Sequence, residues 1–246
     1  ARADFRHGST RNLAAGDARG EFLVFLSQDA VPADAHCLRH LIAAFDDRRV
    51  AGAYGRVLPN PDDDPLTRRT VLDLPEASAE PVARDLDHVG GLSDLTPAQR
   101  GDWLRFNNVA SAVRASVFRE HPFASVPFGE DFVWAAQVLQ AGHRICFVPE
   151  AVVHHAHRYG PREAFVRYRI DAAFHREVHG HRVRPSLISA LKGFCHELRR
   201  DLTYLRGLGG APRLTAALGA PFLRAAQIAG QYAGSRGLGG PSAADF

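Results

Sequence analysis

The chain has 246 residues, 46% of them hydrophobic and 23% charged, which is the composition of an ordinary globular protein with a substantial core. Its formal net charge is only +3 and its basic residues are scattered, which argues against nucleic-acid binding. The three cysteines lie far apart, which excludes a small disulfide scaffold and favours a reducing, cytosolic setting, and no uncharged apolar run reaches the ~20 residues of a membrane-spanning helix.

The first part of the chain alternates predicted helices and strands. The pattern predicts a short helix within residues 9–20, a strand at 21–26, a helix at 34–45 and a strand at 50–58. The first of these strands, EFLVFL, is apolar throughout, which is typical of a strand buried on both faces of a parallel sheet. This alternation predicts the α/β class.

The middle of the chain is less regular. Residues 59–102 are rich in proline, aspartate and glycine, and they predict a long, partly helical excursion of the kind that often forms a functional lid. The elements predicted beyond it are a strand or turn around 106–113, a short helix up to 120, a helix at 130–141 and strands at 144–148 and 151–155.

The last part of the chain begins with a predicted amphipathic helix. From Ser186 onward apolar residues recur at helical spacing, and four basic residues lie off that stripe, namely Lys192, Arg199, Arg200 and Arg206. A second helix at 213–232 contains Pro221, which should kink it, and residues 235–246 are predicted to be disordered. Two interpretations of the first helix stay open: it packs as core, or its basic side holds the protein against the inner face of a membrane.

Acidic residues at two places in the sequence are candidates for cation binding or general-base catalysis. Asp29 follows the apolar strand, and a carboxylate at the carboxyl end of such a strand can bind a cation together with substrate phosphates. Its alternative role is to cap the turn. Glu130 and Asp131 open a predicted helix, where they either favour the helix dipole or supply a general base.

Histidines and polar residues complete the candidates. In VVHHAH, His155 and His157 point to one side of an extended chain and His154 to the other, and H-x-H spacing can bind a divalent metal. With thirteen histidines in the chain, the alternative is an ordinary surface role. Further candidate ligands for phosphate or sugar, each of which could instead be a surface or capping residue, are Arg11, Asn12, Arg56, Asn107 and Asn108.

Taken together, these segments resemble the family-2 glycosyltransferases of the GT-A fold, in the rhamnosyltransferase-like branch. The resemblance covers about residues 5–180, and the order and spacing of the segments agree with that family. The matching stretches are HGSTRNLAAGDARGEFLVFLSQDAVPAD, AGAYGRVLP, FNNVASAVRASVF, FGEDFVWAAQVLQAGHRICFVPEAVVHHAH and YRIDAAFHRE.

The resemblance implies an architecture. It predicts an α/β, GT-A-type (Rossmann-like), mostly parallel sheet flanked by helices, with the glycosyltransferase domain at residues 1–182. An amphipathic helical extension at 183–234 and the disordered tail at 235–246 follow. The family's first β-α-β segment, which grips the nucleotide base, has no counterpart in this sequence, so the domain is expected to be N-terminally incomplete.

The resemblance also implies a metal site. Asp29 occupies the metal-binding acidic motif, although the usual D-x-D reads Ser27-Gln28-Asp29 here. His155, with His157 as second choice, is expected to help hold Mg²⁺ or Mn²⁺, or the donor diphosphate.

For the reaction itself, the resemblance makes Asp131 of the GED motif the catalytic base, with Glu130 beside it helping to hold the acceptor. Arg11 and Asn12 lie near the donor. Trp134 packs the helix behind the base and is counted among the substrate-binding residues.

The implied function is inverting, metal-assisted transfer of a sugar such as rhamnose. The donor is a nucleotide-diphosphate sugar, the acceptor is a cell-envelope glycan or a lipid-linked glycan, and the enzyme is cytoplasmic or peripheral at the inner membrane face. Two alternatives stay open. One is a metal-dependent hydrolase that uses Asp29 and the H-x-H pair, and the other is a catalytically silent module that binds a glycan or a partner protein.

Overall fold

The computed structural model describes residues 6–126 and 128–238. These residues form a sheet flanked by helices, which confirms the α/β class. The helices and strands, in chain order, are α1 (His7–Asp17), β1 (Phe22–Leu26), β2 (Val31–Pro32), α2 (Cys37–Ala43), β3 (Val50–Leu58), α3 (Pro65–Leu72), β4 (Val82–Arg84), α4 (Pro97–Trp103), β5 (Ala110–Arg114), α5 (Ala115–Glu120), α6 (Glu130–Gln140), β6 (Arg144–His154), α7 (Pro161–His179), α8 (Leu187–Arg206) and α9 (Ala211–Arg236).

The described residues group into two compact units. The first unit takes the residues up to Leu58 together with Leu74–His155, and it contains the whole sheet. The second unit takes Pro59–Asp73 and the residues from Ala156 onward, and it contains α3, α7, α8 and α9. Helix α7 therefore groups with the C-terminal helices, although from the sequence it is expected to belong to the domain that ends at residue 182.

The sheet is mixed rather than mostly parallel. Its strand order is β1-β5-β3-β6-β2, and β4 also pairs with β6. Among the described strands, β3 and β6 are the only hydrogen-bonded neighbours that run parallel. Strand β5 is antiparallel to its neighbours β1 and β3, and β2 and β4 are antiparallel to their neighbour β6. The continuous apolar run of β1 predicts a strand that is buried on both faces of a parallel sheet, and both parts of this prediction are wrong. Strand β1 stands at one end of the strand order, its neighbour β5 is antiparallel to it, and Val24 and Leu26 are exposed.

Strand β6 is one element, although two strands are predicted from sequence around Pro149. The pairing with β3 steps from Gly55↔Val148 to Arg56↔Val152, so three residues of β6 bulge out of the ladder around the proline. A proline lacks the backbone N–H that a ladder position needs, and a bulge accommodates it. Beyond the bulge, β6 pairs with β3 again, and His154 lies at the carboxyl end of both strands.

Helix α6 is fixed on the sheet by Trp134, which is completely buried against Phe106 and Phe123. A Cβ atom on Gly52 of β3 would come within 2.7 Å of the Trp134 ring, so only glycine leaves room for the indole there. The indole N–H donates to the His121 carbonyl oxygen at 2.8 Å, which satisfies its one polar atom. These contacts hold the start of α6 in a fixed position.

In the second unit, α7 packs most extensively on α9. Helix α9 is longer than the predicted 213–232 and continues through Pro221 to Arg236. Residues 235 and 236, which the sequence predicts to be disordered, therefore belong to α9. Residues 239–246 of the predicted tail lie outside the described residues. In the part of the chain that the structure describes, no helix combines the length and the hydropathy needed to span a membrane.

Candidate functional site

Asp29 lies in the turn that follows β1. The turn is closed by the Ala30 amide, which donates to the Ser27 carbonyl at 3.0 Å, and it is tied to the sheet because the Ser27 amide donates to the Val109 carbonyl at 2.9 Å. The Asp29 carboxylate is about half exposed. It is therefore held by a short, anchored turn and stays accessible to a ligand.

His155 meets Asp29 at the same edge of the sheet. Strands β1, β3 and β6 run in one direction, because β5 is antiparallel to β1 and β3 and β6 is parallel to β3. Their carboxyl ends meet there, and His155 directly follows β6, with its amide donating to the Leu58 carbonyl at 2.9 Å. Its Nε2 lies 3.3 Å from Asp29 Oδ1. This edge is where open α/β sheets bind ligands.

The Asp29–His155 pair fits a shared divalent cation. Ligands at adjacent corners of an octahedron, each ~2.1 Å from the ion, lie about 3 Å apart, close to the observed separation. Carboxylate and imidazole are both ordinary ligands of divalent metals. His157 belongs to the second unit, but its Cα can be at most about 7 Å from that of His155, because only one residue lies between them.

Glu130 and Asp131 open α6 after Gly129, which has a left-handed backbone (φ 76°). Glu130 is buried, and its carboxylate forms an ion pair with the Arg11 guanidinium of α1. Arg11 is thus committed to Glu130, a partner 119 residues away, which sequence analysis did not foresee.

The carboxyl group of Asp131 is unusually basic. Burial and the neighbouring charge of Glu130 raise the pKa of Asp131 to about 7. The hydrogen bond from the Phe132 amide, at 3.0 Å, and the charge of Arg11 oppose this rise. A carboxyl group with a pKa near neutrality can take up and release a proton under physiological conditions, as a general base must.

Helix α1 holds this acid pair in place. The Asn12 amide nitrogen donates to the Phe123 carbonyl at 2.8 Å, and its oxygen accepts from the Phe123 amide at 3.0 Å. A Cβ on Gly8 would lie 2.4 Å from the Ala124 carbonyl oxygen, so α1 packs directly on the segment that leads to α6. Asn12, which sequence places near the donor, instead binds the backbone in this structure.

The other polar candidates lie next to the strands. The Asn107 side chain accepts from the Val109 amide at 2.8 Å, and Arg56 donates to the Ala77 carbonyl at 3.0 Å. Asn108 is 3% exposed, and its Oδ1 accepts from the Ser111 hydroxyl at 2.9 Å. Among the described residues, no hydrogen-bond partner reaches the buried Nδ2 of Asn108. The next residue, Val109, accepts a backbone hydrogen bond from Ser27, so Asn108 is one residue away from the strand's link to the turn that contains Asp29.

Trp134 belongs to the core and not to a binding surface, because it is completely buried. It supports α6, but no part of the ring is left for a substrate. The role of Ser111 was missed from sequence. Its only signal was the three-residue spacing from Asn108, which is common by chance.

Known proteins similar to this chain include two sugar transferases. Over 177 residues the chain is 34% identical to "O-antigen chain rhamnosyltransferase RfbN" of Salmonella typhimurium (strain LT2), which covers 70% of this chain and 53% of the relative. Over 180 residues it is 33% identical to "O-antigen chain rhamnosyltransferase WbaN" of Salmonella anatum, with the same two shares. The chain thus spans about half the length of the curated relatives it matches.

No family model matches the chain. Among solved structures, a mannosyltransferase from Pyrobaculum calidifontis, PcManGT, described in complex with GDP-Man and Mn²⁺, superposes with a TM-score of 0.49 at 17% sequence identity. The match covers 92% of this chain and 66% of that one.

Proposed function

We propose that the chain forms the catalytic-base part of an inverting, metal-assisted glycosyltransferase. The donor is a nucleotide-diphosphate sugar such as an activated rhamnose, and the acceptor is a cell-envelope or lipid-linked glycan handled on the cytoplasmic side of the membrane. The similarity to two rhamnosyltransferases supports the class of reaction. The observation that carries the proposal is the Asp131 carboxyl group, with a pKa of about 7, at the start of α6.

The reaction needs one proton acceptor. As the acceptor hydroxyl oxygen attacks the anomeric carbon, its proton passes to the base, and the bond from that carbon to the diphosphate oxygen breaks. The electron pair leaves with the nucleoside diphosphate, and the configuration at the carbon inverts. One carboxylate suffices for this, and no covalent intermediate on the protein is needed.

Asp131 suits this role better than Glu130. The Oε1 of Glu130 is engaged in the ion pair with Arg11. The proton therefore goes to Asp131, whose affinity for it is raised by burial and by the Glu130 charge. Glu130 is a positioning residue for the base and stands near the acceptor.

Asp29 and His155, joined by His157, are the residues that we propose to hold Mg²⁺ or Mn²⁺. The support is the 3.3 Å separation of Asp29 Oδ1 and His155 Nε2 at the carboxyl ends of β1 and β6. When bound, a divalent cation stabilises the negative charge of the departing diphosphate. A mixed carboxylate–imidazole set favours Mn²⁺ over Mg²⁺, which prefers oxygen ligands.

Asn108 is proposed to bind the donor. Its buried Nδ2 has no hydrogen-bond partner in the part of the chain that the structure describes, and leaving such an N–H group unsatisfied costs about 1–3 kcal/mol. A phosphate or sugar oxygen of the bound donor would accept this hydrogen bond.

The test uses the natural protein at its full length. Asp131→Asn should lower the rate of sugar transfer at least ~10²-fold, while binding of the sugar donor, measured by calorimetry, is retained. Asp17→Asn, an exposed acid at the end of α1, is the matched control and should transfer normally. Full activity of Asp131→Asn would rule out Asp131 as the base.

The metal site has its own test. Asp29→Ala should remove the Mn²⁺ dependence of nucleoside-diphosphate binding, whereas Asp34→Ala, an exposed acid a few residues further on, should leave it intact. If Asp29→Ala binds the diphosphate with unchanged cation dependence, the ion is held elsewhere. Release of free sugar without acceptor, at a rate equal to transfer, would instead favour the hydrolase alternative.

A further inference from the structure

Helix α8 exposes a long apolar side. Leu187, Ile188 and Leu191 are 70%, 68% and 65% exposed, and Leu202, three turns further on, is 38% exposed. Polar and apolar residues are separated more sharply in α8 than in α1, α3, α6, α7 or α9. Exposed side chains of this size in one stripe mark a surface that binds something.

Basic residues border this apolar side. Lys192, Arg199 and Arg206 follow one another at seven-residue spacing, so they lie on one side of the helix. All three are exposed, and each stands four residues after an apolar or cysteine side chain of the stripe. The long stems of lysine and arginine can lie along an apolar layer while their charges reach beyond it.

The acidic residues of α8 face the other way. Glu197 forms an ion pair with Arg69 of α3, and Asp201, completely buried, pairs with Arg69 and with Arg224 of α9. The outward side of α8 therefore carries apolar and cationic groups without an acid. Its charge is complementary to an anionic surface.

We propose that this outward side of α8, formed by Ile188, Leu191, Lys192, Arg199 and Arg206, docks on an anionic lipid surface. The helix lies in the plane of the interface, with its leucines among the acyl chains and its cations at the phosphates, as amphipathic interfacial helices do. The proposal does not depend on the sugar-transfer function, because it uses only residues of α8 in the second unit.

Vesicle sedimentation of the 246-residue chain tests the charge requirement. Binding should be strong to vesicles of phosphatidylcholine with phosphatidylglycerol, weak to phosphatidylcholine alone, and lost in high salt. The double variant Lys192→Gln and Arg199→Gln should bind the anionic vesicles about thirtyfold more weakly. The control, Arg48→Gln with Arg119→Gln, changes the net charge equally at exposed positions in the first unit and should bind as the parent does.

A second measurement reports insertion of the apolar side. Cys195 is exposed on α8, whereas Cys37 is buried and burial raises the pKa of Cys146 to about 11, so a thiol reagent will label Cys195 first. A polarity-sensitive dye on Cys195 should shift to the blue with anionic vesicles only, and Ile188→Ser with Leu191→Ser should remove the shift.

Three results would overturn the proposal. The first is equal binding to neutral and anionic vesicles, and the second is binding to neither. The third is self-association in the absence of lipid that Ile188→Ser with Leu191→Ser abolishes, because a second copy of the chain would then be what covers this side of α8.

Discussion

In the second unit the Asp201 carboxylate is buried between two arginines, whereas in the first unit Asp131 and Glu130 share one arginine. Arg224 binds Asp201 through two nitrogens, at 2.7 and 2.9 Å, and Arg69 Nε lies 2.6 Å from it. Burial opposes ionisation of the neighbouring Glu197, yet the hydrogen bond and charge of Arg69 hold the pKa of Glu197 below its ordinary value. In this cluster of the second unit, each buried carboxylate is therefore paired with an arginine.

At the start of α6 in the first unit, the buried acids are not balanced in this way. Two carboxyl groups and one guanidinium lie at the start of α6, where burial and the charge of Glu130 raise the pKa of Asp131 to about 7 against the opposing charge of Arg11. A buried charge that only supports the fold is best fully compensated, because uncompensated burial costs free energy. A group that must take up and release a proton needs a shifted pKa, and incomplete compensation of its charge provides one. The comparison therefore separates a structural charge cluster from a candidate catalytic one.

The largest expected effect is on the stability of the second unit. Asp201→Ala leaves Arg69 and Arg224 buried without their carboxylate, and should cost ~3–5 kcal/mol of unfolding free energy, measured by urea denaturation followed by circular dichroism. Glu177→Ala, an exposed acid on α7 of the same unit, is the control and should cost less than about 0.5 kcal/mol. Equal stability of the two variants would mean that the Asp201 cluster contributes little.

Close helix packing in the same unit gives the next effect. A Cβ on Gly234 of α9 would lie 2.2 Å from the Arg169 carbonyl oxygen of α7, so Gly234→Ala should destabilise the unit by ~1–3 kcal/mol. Gly219→Ala on the same helix meets nothing within 4 Å and should stabilise it by up to about 1 kcal/mol. Melting temperatures of the two variants that shift in the same direction would contradict the close contact of α7 and α9.

Much of the fold could be predicted from local pattern. The predicted bounds of the strand at residues 50–58 and of the start of α6 agree with the structure, because apolar periodicity and helix-start residues are local signals. Strand direction was not predictable from β1, since the same apolar run suits either pairing.

The candidate site divides in the same way. Asp29 and His155 could be predicted to meet, because both follow strands of one direction in one sheet. The Arg11–Glu130 pair could not be, because 119 residues separate its members and nothing in either local sequence specifies the other. Nor could the use of Asn12 as a backbone anchor, which depends on where the segment at Phe123 passes α1.

A smaller effect concerns stability in the first unit. Asp131 has a pKa of about 7 in the folded protein against an ordinary 3.8, so the folded state binds its proton more tightly and loses stability as pH rises from about 4 to about 7. Asp131→Asn cannot ionise, and should therefore be more stable than the parent by about 1–3 kcal/mol near pH 8 and equally stable near pH 4. Thermal melts across this range measure the difference, and a difference that does not change with pH would show that Asp131 is not destabilised by its charge.

The smallest effect is a pair of opposite shifts in the pH dependence of sugar transfer by the natural protein. Transfer should rise with pH to a plateau, with a midpoint near the Asp131 pKa of about 7, because the base acts in its ionised form. Glu130→Gln removes the repulsive charge and should lower the midpoint by on the order of one pH unit. Arg11→Gln removes the attractive charge and should raise it.

Both variants break the same Arg11–Glu130 ion pair, so structural damage would change their rates alike, whereas electrostatic control of Asp131 moves their midpoints apart. If the midpoints of the kcat/KM profiles move in the same direction, or do not move, the group that accepts the proton is not Asp131. Opposite movement ties the rate to a carboxyl group that feels both charges, and Asp131 is the residue whose pKa responds to both.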